Sequence, residues 1–213
     1  MSAENSSIRM ARYSEFDTVC DILADSFFDD PVLALTFPNP QNRWAGIRTF
    51  FELTCSTARE AGTIAFSTDG QGVVVYERPS QPSASTAQPD LDALMLSNCA
   101  EAGEAAVEFV RALDANHPRH VPHYYLFAVG VRRGFRGLPG QGLIGHVVAE
   151  SERERLPCYA ETTSQFNRRL GHRFGYSDYG SPIKLSTGAL LYPLWRGGPR
   201  DQTSPSTTAV EAN

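Results

Sequence analysis

The stretch YYLFAVGVRRGFRGLPGQGLIGHVVAESERER, residues 124–155, decides how this chain is read. It opens as an almost uninterrupted apolar run, the pattern of a central strand. It ends in a helical pattern over 140–155. Between them lies a loop with Gly134, Gly137, Pro139, Gly140 and Gly142 beside Arg132, Arg133 and Arg136. A strand that empties into such a loop, with a helix behind it, presents backbone N–H groups and a positive helix end to an anion.

Two familiar anion loops do not fit. A P-loop needs a Lys-Ser/Thr pair after its last glycine, and here Leu143 and Ile144 follow Gly142. Gly140, Gly142 and Gly145 do spell G-x-G-x-x-G, and Glu161 stands at the spacing of a ribose-binding acid. But that motif puts its first glycine directly after the strand. Here 132–139 intervene, and no second βαβ half follows.

Outward from this segment the periodicities alternate. Strands are expected at 8–12, in a hairpin over 63–79 turning at Asp69-Gly70, and at 123–131, 158–163, 176–185 and 189–196. Helices are expected at 14–28 with Ser14 as N-cap, at 43–62 ended by Gly62, along 91–117, at 140–155 and at 165–175. DDPVLALTFPNP, 29–40, reads as a proline-punctuated connection. The order predicts a mixed α+β domain with one sheet. Residues 1–7 read as a flexible start, 79–90 as a polar mobile loop and 197–213 as a disordered tail, leaving 8–196 as the folded domain.

The net charge of −5 disfavours a nucleic-acid partner. Eighteen of the 19 basic residues are arginine, which we read as coding bias. No charged start leads into an apolar segment, and no apolar run reaches membrane-spanning length, so a cytoplasmic chain without a membrane partner is expected. Cys20, Cys55, Cys99 and Cys158 form no CxxC and read as reduced core residues. His117, His120 and His123 form H-x-x-H-x-x-H, but Pro118 and Pro122 imply an extended loop that keeps the three rings apart, so no metal site is expected.

The segment from Val131 to Gln141 resembles motif A of the GNAT N-acetyltransferase superfamily, V-x-P-x-x-[QR]-G-x-G-x-[GA], with Arg136-Gly137 at [QR]-G. The likeness extends along the chain. IRMARYSEFD is similar to a GNAT first strand and helix, and SFFDDP resembles a segment of puromycin-type acetyltransferases. LPCYAETTSQFNRRLGHRFGY resembles their G-x-P-x-[FY]-L-E-x-[ST]-x-x-x-N-x-x-[LF]-Y-x-x-x-G-F. The resemblance implies a GNAT-like fold: a single twisted, mostly antiparallel sheet of about seven strands with helices on both faces. It implies an acetyl-CoA-dependent N-acetyltransferase for the amine of a small molecule, of the kind that inactivates a toxin or antibiotic, acting as monomer or homodimer.

On that resemblance, Arg136, Gly137, Gly140, Gln141 and Gly142 would hold the coenzyme A pyrophosphate, with Val129 and Val131 main-chain groups on the pantetheine and Asn167 on the coenzyme. Arg132 and Arg133, with Arg136, suit the 3′-phosphate. Glu161, at the end of an apolar strand, is the candidate base, because desolvation raises a carboxyl pKa. His123 is a secondary acid/base candidate. Asp29 and Asp30, with Asp25 beside them, would attract a cationic amine. Phe28 would wall the acceptor pocket with Phe27, Phe37 and Trp44, although the helical spacing of Phe27 makes core packing its default.

Two departures bear on chemistry. Pro139 stands where motif A has glycine and cannot donate to a phosphate. A register one residue longer puts it in the first helical turn, where its fixed φ helps. Gly171 falls where the family carries the tyrosine that protonates the leaving thiolate, and a glycine there leaves that space open. His172 does not inherit the position, since adjacent helical residues point about 100° apart. Tyr176 matches the closing aromatic of the motif instead. The alternative reading is therefore a GNAT-like protein that binds a ligand, or runs another reaction, without acetyl transfer.

Overall fold

The computed structural model describes residues 8–79, 90–119, 121–135 and 137–197. The expectations for 1–7, for 80–89 and for 198–213 lie outside the described residues, as do His120 and Arg136.

Among the described residues eight strands form one sheet in the order β1-β2-β3-β4-β5-β8-β6, with β7 also paired to β8. They are β1 Ile8–Met10, β2 Ile64–Ser67, β3 Gly72–Glu77, β4 Tyr124–Val131, β5 Cys158–Thr162, β6 Ser177–Asp178, β7 Ile183–Lys184 and β8 Leu190–Arg196. Every pairing is antiparallel except β4 with β5. The strand expected over 176–185 is two short ones, parted by a turn through Gly180, so the sheet gains a strand over the expected seven.

Period-two alternation explains the layering. Ile64, Phe66, Val73 and Val75 face the core that α1 (Phe16–Phe27), α3 (Arg43–Thr54), α5 (Leu91–Asn98) and α6 (Gly103–Asn116) complete. Ala65, Val74 and Tyr76 face a second core with Leu143, Ile144, Val147 and Val148 of α7 (Leu138–Arg153). Apolar residues on both sides of each central strand leave one arrangement, helices on both faces. All four cysteines are free and buried, as small core residues.

Local chemistry redraws several boundaries. Ser14 lies inside a 3-10 turn, Tyr13–Glu15, that runs into α1; the N-cap of α1 is Glu15, whose carboxylate makes no cap bond to α1 and accepts from Arg12 N at 2.8 Å at the start of the turn. The connection 29–40 contains a short helix, α2 (Pro31–Thr36), because Asp30 accepts from Val32 N and Leu33 N at 3.0 and 3.2 Å and Pro31 sits at the first position. The helix expected at 43–62 breaks at Cys55 into α3 and α4 (Ser56–Ala61), and it does end at Gly62 in the left-handed region. The helical stretch 91–117 breaks at Cys99 and resumes through a 3-10 turn, Ala100–Ala102. α8 runs from Gln165 to Arg173 under a Ser164 cap. Among the described residues no helix is long and apolar enough to cross a membrane.

Candidate active site

The site begins with a fault in the sheet. β4 and β5 pair through Tyr124–Cys158, Tyr125–Tyr159 and Leu126–Ala160 and then part, although β4 runs on to Val131 and β5 to Thr162. At the same level β4 carries one extra residue. Val75 pairs Ala128 and Tyr76 pairs Leu126, so Phe127 has no partner on β3. Such a bulge bends a strand and increases its twist. Phe127 and Ala128 consequently both pack toward the α1/α3/α6 core, and alternation resumes with Val129 and Val131 on the α7 side.

The parted strands open a cleft of about 770 Å³ that passes through the sheet. On the α7 side it is lined by Gly137, Gly140, Gln141, Ile144, Asn167, Leu170, Gly171 and Leu194. On the opposite side lie Phe27, Phe50, Phe51, Phe109, Leu113 and Leu191.

The α7 side suits an anion. The N-cap of α7 is Gly137, which has no side chain to cap it and has φ 130 and ψ −118, a conformation only glycine holds without strain. The first-turn N–H groups of Leu138 and Gly140 have no partner within the helix, and Pro139 removes none that the ladder needs. The helix starts two residues earlier than expected, at Leu138, so Pro139 and Gly140 form its first turn and Gln141 and Gly142 lie deeper inside it. Gln141 reaches the cleft and Gly142 does not. Since Arg132 N donates to Gln71 O on the β3 side, alternation turns the main-chain groups of Val129 and Val131 to the open edge. There Val131 N donates to Ser26 Oγ at 3.0 Å.

Glu161 follows Tyr159 on the face opposite Cys158 and Ala160, and so points to the phenylalanine side. Burial pushes its carboxyl up to about 7, and the nearby Tyr159 and Tyr125 hydroxyls offset only part of that rise. Glu161 keeps partial exposure to the cleft, yet its Oε1 is closed off and has no hydrogen-bond partner. A carboxyl poised near neutrality in a cleft is a general-base candidate by environment.

Other expected residues are placed differently. Asp30 lines the cleft, but its oxygens cap α2 and accept from Thr163 Oγ1; burial raises its pKa. Asp29 is exposed at the rim and lies 3.4 Å from Arg133. Arg133 also pairs with Asp25, donating to it from Nε at 3.1 Å and from its backbone N at 2.9 Å, so its guanidinium is held away from a phosphate.

Phe28 does not line the cleft. The Arg43 and Arg133 guanidinium groups lie over its ring at 5.3 and 5.0 Å, and its neighbour Phe27 takes the cleft wall. Phe37 is core, while Trp44 is exposed.

His123 also lies outside the cleft lining, which revises its acid/base assignment. Its Nδ1 is 2.6 Å from Val121 O and its Nε2 is 3.1 Å from His117 Nε2, beneath Tyr159 and Trp195. Two of the three histidine rings therefore meet, against the expectation that Pro118 and Pro122 keep them apart. Burial first, then His123, lowers the His117 pKa to about 4. Among the described residues no group of three ligands could hold a metal ion.

Gly171 corrects a further expectation. It lines the cleft, but a Cβ there would stand 2.6 Å from Leu194 Cδ1. The space beside it is filled by Leu194. Tyr176 donates from its hydroxyl to Cys158 Sγ at 2.9 Å in the core.

Sequence reasoning missed Ser26, Tyr125, Phe127, Phe50, Phe51, Phe109 and Arg173 as cleft residues. Their periodicity marks strand or helix membership, and only the opening of the sheet exposes them to a ligand.

No family model matches this sequence, and no curated protein matches it. The structure is similar to solved ones. One, described as histone acetyltransferase HPA2 and related acetyltransferase from Corynebacterium glutamicum, has TM-score 0.65 and 22% identity over 91% of this chain and 96% of that chain. Polyamine N-acetyltransferase of Drosophila melanogaster has TM-score 0.60 and 14% identity over 90% of this chain and 99% of that one. Arylalkylamine N-acetyltransferase 2 from Aedes aegypti has TM-score 0.60 and 12% identity over 90% and 98%. With its splayed parallel pair and helices on both faces, the chain has the fold of the GNAT N-acetyltransferases.

Proposed function

We propose that this protein is an acetyl-CoA-dependent N-acetyltransferase acting on a small amine. The observation that carries the reading is the passage through the sheet, which joins an uncapped helix N-terminus on one face to Glu161 on the other. Similar structures named for arylalkylamines and polyamines support a small amine as acceptor. The SFFDDP likeness to puromycin-type enzymes fits the same reading, and there Asp30 shapes the acceptor rim by starting α2.

The residues present fit the cosubstrate. Gly137, Leu138 and Gly140 N–H groups would hold its pyrophosphate, the Val129 main chain its pantetheine arm, and Asn167 and Arg173 the adjoining wall. Acetyl-CoA supplies an activated acetyl group: the amine nitrogen bonds to the thioester carbonyl carbon, the C–S bond breaks, the sulfur leaves as thiolate, and the proton that the new amide nitrogen sheds passes through solvent to give the free thiol. Glu161 takes the proton that makes the ammonium a neutral nucleophile. A carboxyl near 7 does this without holding the proton too tightly to release it to solvent. The Tyr125 and Tyr159 hydroxyls lie close enough to the carboxylate to offset part of the rise in its pKa.

Gly171 and Leu194 favour a second reading, in which the cleft binds a ligand without acetyl transfer, because no phenol stands at Gly171. One experiment separates them. Calorimetry with coenzyme A and a thiol-release assay with acetyl-CoA and primary amines should show binding and amine-dependent thiol. Binding without thiol favours the second reading, and absence of both removes the first.

A further inference from the structure

The strands that part beyond Ala160 are joined again by one segment. Residues 25–30, the end of α1 and the turn into α2, cross the gap between β4 and β5. On the β4 side Ser26 Oγ accepts from Val131 N at 3.0 Å, and Asp25 accepts from Arg133 N at 2.9 Å. On the β5 side Asp30 Oδ2 accepts from Thr163 Oγ1, just past the end of the strand. Gly130 lets the segment lie this close to β4: a Cβ there would stand 2.9 Å from Leu23 Cδ2 and 3.3 Å from Ser26 Cβ. Ser26, Asp30 and Thr163 all line the cleft.

The end of β5 needs such a tie. Beyond Ala160, Glu161 and Thr162 pair with Pro193 and Tyr192 of β8 and have no strand partner on β4. Asp30 is a firm anchor because it is itself fixed. Its Oδ1 accepts from Val32 N and Leu33 N at the start of α2, and both of those residues are buried in the core. A hydrogen bond in a partly buried site is strengthened by the low local dielectric.

From this geometry we infer that residues 25–30 form a crossbeam that sets the separation of β4 and β5, and that Asp30 and Thr163 are positioning residues for acyl transfer. The inference rests on the acetyltransferase reading and deepens it. In that reading the thioester lies along β4 and the base stands on β5, so the width of the gap fixes the distance between the reacting groups. Misplacement by about 1 Å costs roughly 10²-fold in rate. Neither side chain has to touch substrate; each acts through the end of β5.

Three variants test this. Thr163→Val removes the hydroxyl and keeps the shape, while Thr163→Ser keeps the hydroxyl. Asp30→Ser keeps a capping oxygen for α2 but is too short to reach Thr163. The readouts are initial rates with acetyl-CoA and a primary amine that the wild type acetylates, and coenzyme A affinity by calorimetry. Thr163→Val and Asp30→Ser should each lower kcat by at least about tenfold while coenzyme A affinity stays within about twofold, and Thr163→Ser should match wild type. An unchanged kcat in Thr163→Val or Asp30→Ser overturns the inference. Loss of coenzyme A affinity in step with kcat also overturns it, because that reports a collapsed cleft. A change confined to the amine KM in Asp30→Ser means that Asp30 meets the acceptor itself, and overturns its positioning role. Where one of these two variants does not fold, the other decides.

A second measurement needs no turnover. Tyr159 and Tyr125 are the titratable groups beside Glu161, and Asp30 lines the same cleft. Titrated by NMR, the Glu161 carboxyl should have its midpoint at about 7 in the wild type and in Thr163→Ser, and lower in Thr163→Val, where the released strand end admits water. An unmoved midpoint in Thr163→Val overturns the crossbeam. If the wild type releases no thiol with any amine, the acetyltransferase reading fails, and this titration alone decides whether the crossbeam holds β5.

Discussion

Replacing Glu161 by Gln tests the base and its environment together. Burial raises the carboxyl from an ordinary 4.5 to about 7 in the folded chain. A raised pKa means that between these values the folded state binds more protons than the unfolded one. Stability from this group is therefore fully present below about 4.5 and is lost as pH rises through about 7. Integrated between pH 5 and pH 8, the loss is roughly 2–3 kcal/mol, at about 1.4 kcal/mol for each pH unit of displaced titration. Glutamine keeps the shape and carries no charge, so Glu161→Gln should escape that loss. For a chain of this length the wild type should then lose roughly 5–10 °C of melting temperature relative to the variant between the two pH values. Turnover should move oppositely. Wild-type activity should rise with pH to a plateau above about 7, and the variant should be slower by about 10² or more at the plateau. The assays are urea or thermal melts at both pH values and initial rates across the range. Parallel melting profiles for the two proteins would refute the raised carboxyl. A separated pair of profiles with equal turnover would refute its role as base.

Two further substitutions probe the other parts of the site. Gly137→Ala forces a side chain onto φ 130, which costs roughly 1–3 kcal/mol and tilts the first turn of α7; coenzyme A affinity by calorimetry should fall by at least about tenfold, and unchanged affinity would take the helix N-terminus out of the site. Gly171→Ala gains up to about 1 kcal/mol of helix propensity but drives a Cβ into Leu194, at roughly 1–3 kcal/mol, so urea melts should show a net loss. Adding Leu194→Val should recover part of it, and strictly additive losses would mean that the two side chains do not compete for the space.

Much of the fold was legible because it rests on local rules. A hairpin pattern identified β2 and β3, an almost uninterrupted apolar run identified β4, Gly62 identified a helix end, and the strand–glycine loop–helix order located the α7 N-terminus to within two residues. The misplaced boundary within 29–40 was settled by a side chain meeting backbone groups, Asp30 on Val32 and Leu33, while at Cys55 and Cys99 one helix ends on a backbone N–H bond and the next begins without a side-chain cap.

The site was legible in part. Glu161 stood out because a carboxylate ending an apolar strand is conspicuous in any arrangement of the strands, and it lines the cleft. His123 and Phe28 were drawn to the site by position along the chain, yet each points into a partnership, with His117 or with two arginines, that only packing creates. The phenylalanine wall was invisible for a related reason: buried rings on helical spacing look like core, and they line a cleft only because β4 bulges at Phe127 and parts from β5. The sequence by itself determined which residues could be strand, helix end or acid. The tertiary structure decided which of them share a cavity, because that depends on one extra residue in one strand and on where a parallel pairing stops.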